Sequence, residues 1–459
     1  VTPDVVKFSP EMEPVVRWIE ETPRDRALQT AAEQLKGGLP YRQLLGGLFL
    51  AGIRNIKPRP VGFKFHAVMV INSAHQLALD ASQPDRLLPF FWALDNFKSS
   101  QAQDAREGDW VLGPVNESAV PGPERSRKLF QEAMDRWDDE AADGAVTGLC
   151  RAAGAGEIAE SLWRYGVRDW QNIGHKIIFM AQSFRTLDTI GWQHAEPVLR
   201  SLVYGLLNGG NTESAAPYAA NESHVQRIRR DWAAGQEDAS ATLAMLEALR
   251  QGTPDETARA AVDLLNRGVS AGSIWDSIML AANELLMRQP GIVSLHAVTA
   301  SNSLHYAFRA AGQDSTRLLT LLQACSWIAL FREGVRSRNG LPAEPRIDQL
   351  AETPEKSFDV DDVFHEMGKD RLSAARRALG FAKNGKPPAL FMDAARHLVF
   401  TKGTDSHDYK FAAAAFEEIH HASPMWQPHL LAGSVFYLKA AGDSDSPLLE
   451  RTRAALAAL

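Results

Sequence analysis

Four histidines in strongly apolar surroundings are the residues of this chain best suited to chemistry. His66 lies in Gly62-Phe63-Lys64-Phe65-His66-Ala67-Val68-Met69, and His175 in Asn172-Ile173-Gly174-His175-Lys176-Ile177-Ile178. His296 lies in Ile292-Val293-Ser294-Leu295-His296-Ala297-Val298-Thr299, and His407 in Asp405-Ser406-His407-Asp408-Tyr409-Lys410-Phe411, before an alanine-rich run. A buried neutral imidazole must hydrogen-bond or bind metal, because leaving it unpaired costs roughly 1–3 kcal/mol. Each of the four taken alone reads first as a satisfied core histidine. Four of them on four separate segments point to one buried metal site, since imidazole is the commonest ligand for borderline metals. His407 and Lys410 are spaced to share a helix face. A buried lysine has a depressed pKa, and its neutral amine can add carbon dioxide to become a carbamate, an anionic oxygen ligand. The alternative for Lys410 is a solvated neighbour of the histidine.

The remaining histidines carry less. His75 follows His66, and His305 follows His296, by nine residues, which is half a turn out of phase on a helix of about 100° per residue. His194, in Gly191-Trp192-Gln193-His194-Ala195-Glu196-Pro197, precedes a helix start marked by Glu196-Pro197. It reads as a capping or pocket-lining residue, and with Glu196 forms the candidate catalytic pair. Asp95, Asp188 and Glu196 are candidates to hold metal-bound rings or to exchange substrate protons. Trp92, Trp192 and Trp327 are candidates for the pocket wall, with core packing as the plainer alternative. His420, His421 and His429, near Pro424 and Pro428, read as loop residues.

Rival motifs fail on context. Glu417-x-x-His420 and Glu418-x-x-His421 match the carboxylate–histidine pattern of di-iron bundles, but such bundles need copies on separate helices and these share one turn. Gly268-Val269-Ser270-Ala271-Gly272 matches a nucleophile elbow, but a helix rather than a strand precedes it, and Gly268 reads as a helix stop. Gly154-Ala155-Gly156 lacks the third glycine of a dinucleotide fingerprint, and no P-loop occurs. No flavin or NAD site is seen.

The elements that must position these residues are helical. Ala258–Arg267, Ser273–Arg288 and Ala374–Ala382 place apolar residues three and four apart, and alternating β-type stretches are nearly absent. The expectation is an all-α fold, one large multi-helix domain over 1–459 with a buried central metal site and an N-terminal arm over roughly 1–40. Lys57–Val61, Gly108–Pro123, Arg336–Pro354 and Lys383–Pro388 read as loops.

Composition bounds the partners. With 49 Lys+Arg against 56 Asp+Glu and a formal charge of −7, a nucleic-acid partner is not expected. Apolar runs are interrupted by charges before the roughly 20 residues of a membrane span, so a soluble protein is expected, acting on a small molecule. Cys150 and Cys325 lack zinc spacing and read as buried small hydrophobes. The chain begins at Val1 without Met, which leaves cytoplasmic and exported locations both open. Oligomeric state is open too.

Taken in order, the four histidine segments resemble the questin oxidase-like family. Its members carry a His at the start of an early helix, matched by His66. A His-Gly-Leu-Ile-Arg-like segment is matched by His175-Lys176-Ile177-Ile178 and onward to Phe184-Arg185-Thr186-Leu187. A His-x-Val-Thr-x-x-x-Ala-Leu segment resembles His296-Ala297-Val298-Thr299-Ala300-Ser301-Asn302-Ser303-Leu304, and a His-x-x-Lys turn is matched by His407-Asp408-Tyr409-Lys410. The chain differs from that pattern at Lys176, where relatives often have Gly, and at Gln182, where many have His. The resemblance implies a non-haem iron oxygenase using molecular oxygen on an aromatic or other electron-rich substrate. Iron(II) would be held by His66, His175, His296, His407 and a carboxylated Lys410. Two other classes stand beside it: a metal-dependent hydrolase or isomerase on the same residues, and a non-catalytic helical binding protein.

Overall fold

The computed structural model describes residues 4–353, 359–457 and 459. Among them are 22 α-helices and no strand, only an isolated bridge between Gln236 and Val269. The fold is all-α, as the periodicity requires. The chain divides into two compact units, each assembled from separated segments. One comprises Val1–Gly166, Ile178–Asn211 and Ser446–Leu459; the other comprises Val167–Ile177 and Thr212–Asp445.

In the first unit the helix Tyr41–Asn55 is buried from Leu44 to Arg54. Gly46 and Gly47 make room for the helix Glu13–Glu21 and its N-cap: a Cβ on Gly46 would stand 2.9 Å from Met12, and one on Gly47 would overlap Val15. Buried Arg54 ties the two helices through Glu13 at 2.9 Å and Glu20 at 2.7 Å. The expected N-terminal arm therefore contains two helices, Glu13–Glu21 and Arg24–Lys36, that contribute Val15, Val16, Ile19, Ala27 and Leu28 to the core. His66 lies on the helix Phe63–Leu79, which starts after the proline-rich Lys57–Val61 loop.

The second unit is built around Ala271–Arg288, Ile292–Ala310, Asp314–Asn339 and Ser406–His421, four helices with long buried faces. Their starts are set by local chemistry. Ser270 caps the first, and Asp405 with Asp408 forms a capping box on the last, satisfying backbone N–H groups that have no intrahelical partner. Among the described residues one helix, Asp314–Asn339, is long and apolar enough to cross a bilayer, but 83% of its most apolar stretch is buried in the protein. That is the pattern of a core helix.

The structure corrects some boundaries. His420 and His421 form the last turn of Ser406–His421 and His429 lies in Gln427–Ser434, so none of the three is in a loop. The prolines that suggest a loop stand between the two helices and at the start of the second, where a missing N–H costs nothing. Arg336 to Asn339 continue the Asp314–Asn339 helix, which ends at Gly340 with φ +74°. Pro354, at the far end of that expected loop, lies outside the described residues. Gly108–Pro123 is irregular except for a single 3₁₀ turn at Glu117–Ala119.

Candidate metal centre

Three of the four histidines and the lysine are brought together within the second unit. His175 opens the helix His175–Ile190, His296 sits one turn into Ile292–Ala310, and His407 and Lys410 occupy the first turn and a half of Ser406–His421. All four are at least 96% buried. The imidazole rings of His175 and His296 have centroids 4.4 Å apart, and those of His296 and His407 are 5.2 Å apart. The ligand nitrogens of His175 and His407 lie within 4.8 Å of one another.

The hydrogen bonds at the far side of each ring decide what faces inward. His175 Nδ1 is 2.5 Å from the carbonyl oxygen of Asn172, and His296 Nδ1 is 2.7 Å from that of Ile292. A carbonyl can only accept, so each Nδ1 carries the proton and each Nε2 carries the lone pair. Those two Nε2 atoms are 3.1 Å apart. Two lone pairs at that distance repel unless a proton or a metal ion stands between or beside them. Burial works against the proton. It pushes His175 down to about 3, with the nearby Lys410 adding to the effect and the Asn172 carbonyl opposing it. Burial also carries His296 well below its ordinary value, with His175, Lys410 and His407 adding.

His407 follows the same logic with a charged holder. Its Nδ1 donates to Asp405 Oδ1 at 2.5 Å, again leaving Nε2 as the lone-pair nitrogen. Burial lowers the His407 pKa despite that bond. Asp405 resists its own burial penalty because the ring and the backbone N–H of His407 both donate to it, and its carboxyl is held down to about 2. Lys410 is 3% exposed, and burial pushes its ammonium down to about 7, Asp405 acting the other way. A neutral amine is thus readily available at neutral pH beside three imidazoles that present lone pairs. This donor set fits a borderline divalent metal.

The loop before His175 is held under strain. Asn172, Ile173 and Gly174 take φ values of +56°, +54° and +79° in succession, a region that β-branched Ile enters only when its surroundings force it. The forcing groups belong to the same unit. Lys176 pairs with Asp169 at 3.1 Å, both essentially buried, while Asp169 accepts from the backbone N–H of Gln171. Gln323 donates to the Val167 carbonyl at 2.6 Å, and Trp170 packs edge-on against Phe331 at 5.2 Å. At Gly174 a Cβ would stand 2.7 Å from Ala300 and 3.4 Å from Trp327. Trp327 therefore packs beside the turn that aims His175.

The other expected residues belong to the first unit. His66 is 3% exposed on its helix. His75, on the same helix, stacks on Tyr41 with its Nδ1 3.3 Å from the hydroxyl. His194 is buried beside Gln193, near a small cavity lined by Glu11, Arg42 and Gln43. Glu196 is partly exposed and bonds Arg151 at 3.0 Å, which also holds Glu117. Asp95 pairs with Arg24 at 2.6 Å, and Asp188 accepts from Trp192 Nε1 at 2.7 Å. Gln182 joins Asn72 and Ser73 in a buried amide–hydroxyl network.

Sequence reasoning passed over the carboxylate that does hold a ring, Asp405. The signal was present: an aspartate two residues before a histidine at a helix start serves as cap and as ring holder at once. The Asp169–Lys176 pair had no comparable local signature. No family model matches the sequence, and no curated protein and no solved structure matches it.

Proposed function

We propose that this protein is a non-haem iron-dependent oxygenase acting on an aromatic or other electron-rich organic substrate. The observation that carries the metal reading is the inward convergence of imidazole lone pairs, two of them 3.1 Å apart, each ring locked from behind by an oxygen acceptor. The oxygenase reading rests on the ordered resemblance of the four histidine segments to the questin oxidase-like family. In this reading His66, His175, His296, His407 and a carboxylated Lys410 are the ligands. Iron(II) bound by such a set supplies electron transfer to molecular oxygen.

The chain's own residues do the rest. The Asn172 and Ile292 carbonyls and the Asp405 carboxylate keep the rings in the tautomer that offers Nε2, and the charge of Asp405 raises the basicity of His407. Lys410 Nζ, neutral, attacks the carbon of carbon dioxide. A C–N bond forms as one C=O π pair moves onto oxygen, an N–H bond breaks and its proton passes to solvent, and the side chain changes from a potential cation to a carbamate anion. Burial excludes water from the ligand nitrogens, which strengthens their hold on a cation. His194 and Glu196 remain the proposed proton-exchanging pair.

Metal analysis of the purified protein, beside Lys410→Ala and His66→Ala, tests the reading. About one iron per chain, reduced in both variants, together with substrate-dependent oxygen uptake, is the expected result. Zinc or nickel at that stoichiometry keeps the site and replaces the chemistry with hydrolysis or isomerisation. No metal in any of the three, even after anaerobic reconstitution with iron(II), leaves a helical binding protein.

A further inference from the structure

The two helices that carry His296 and His407 carry a second polar group further along, independent of the metal reading. His305 is nine residues beyond His296, about 13 Å along the axis at 1.5 Å per residue. There it meets Glu418 of the other helix, Nδ1 to Oε2 at 2.8 Å. Glu418 is 3% exposed and also accepts from Asn302 at 2.8 Å, so its charge is already shared between an imidazole and an amide. Trp275 stacks on the His305 ring at 4.4 Å. His305, Glu418 and Trp275 line a cleft of about 370 Å³ together with Asp276, Met279 and, at its exposed rim, Glu237.

Asp276 is a buried carboxylate that no Lys or Arg of the cleft faces, and His305 is the one lining group that acts on it with opposite charge. Asp276 is 5% exposed, and its hydrogen bonds come from the backbone N–H and hydroxyl of Ser423, both neutral. No Lys or Arg lines the cleft among the described residues, whereas Glu237, Asp276 and Glu418 all do. Of the three lining imidazoles, His305 is turned to Glu418, His420 donates from Nδ1 to the Phe416 carbonyl, and His421 accepts from Arg309, which stands outside the cleft. Burying a carboxylate without a cation is costly. A cation entering through the cleft would offset that cost, and the cleft's size is that of a small-molecule site. The apolar surfaces of Trp275 and Met279 beside it suit a short hydrocarbon body.

We infer that this cleft binds a small organic cation, an alkylamine or alkylguanidine, with its charge on Asp276 and its body against Trp275 and Met279.

Isothermal titration calorimetry with agmatine and putrescine tests the inference, with n-pentanol as the neutral control and acetate as the anionic one. Saturable 1:1 binding of at least one cation and none of the controls is expected. Asp276→Asn keeps the side-chain shape, and Glu237→Lys changes only an exposed rim residue, so folding of at least one variant is secure. Asp276→Asn should weaken binding about tenfold or more, the usual scale for removing one charge at a desolvated contact, and Glu237→Lys should weaken it severalfold with a marked salt dependence. Absence of cation binding at millimolar concentration, binding unchanged in the variants that fold, or preference for acetate would each overturn it.

Discussion

Replacing Lys410 by methionine should stabilise the metal-free protein while removing its metal affinity. In the unfolded chain a lysine titrates near 10.4, whereas in the fold burial brings Lys410 down to about 7. Between pH 7 and 10.4 the unfolded state therefore binds more protons than the folded state, and stability rises with pH across that window by about 1.4 kcal/mol per unit. At pH 7 most of that contribution is still missing, about 4 kcal/mol. Methionine fills a similar volume without a charge to desolvate, so Lys410→Met should recover a large part of it and lose the pH slope. The assay is urea unfolding of chelator-treated wild type and variant at four pH values from 6.5 to 9.5, in buffer freed of carbon dioxide. Titrating groups remote from Lys410 are common to both proteins and cancel in the difference. Bicarbonate should then stabilise wild type, because the carbamate forms in the folded state, and leave the variant unchanged. Equal pH slopes in the two proteins, or a variant less stable than wild type at pH 7, would refute the reasoning.

Two further outcomes follow from the ring holders and the strained turn. Asp405→Asn retains a good helix cap, so stability should change by less than about 1 kcal/mol; loss of the charge behind His407 should weaken metal binding about 10- to 100-fold, measured by competition with a chromogenic chelator. Gly174→Ala places a Cβ 2.7 Å from Ala300 at a φ of +79°, and should cost about 1–3 kcal/mol in thermal or urea unfolding. An unchanged midpoint would mean that the turn is not held as rigidly as its neighbours imply.

Short-range pattern was enough to set the helical class and the start of the key helix. Asp405-Ser406-His407-Asp408 encodes a capping box, a short-range arrangement that needs no tertiary partner, and it places His407 and Lys410 in one turn wherever the helix goes. Apolar flanks likewise identified His175 and His296 as buried, because burial of a helix face is written in a period of three to four residues. The same rules misread His420, His421 and His429, since prolines that border a helix look locally like prolines that break one.

Only the tertiary structure decided which polar groups meet. The convergence of His175 and His296 joins residues 121 positions apart, and local pattern holds no information on pairings at that range. Asp169 and Lys176 anchor the left-handed turn between them, which also packs against Ala300 and Trp327, residues far away in sequence. His305 changed role for the same reason. Its spacing from His296 set it on another side of the helix, and the neighbours there, Glu418 and Trp275, were chosen by how three helices pack.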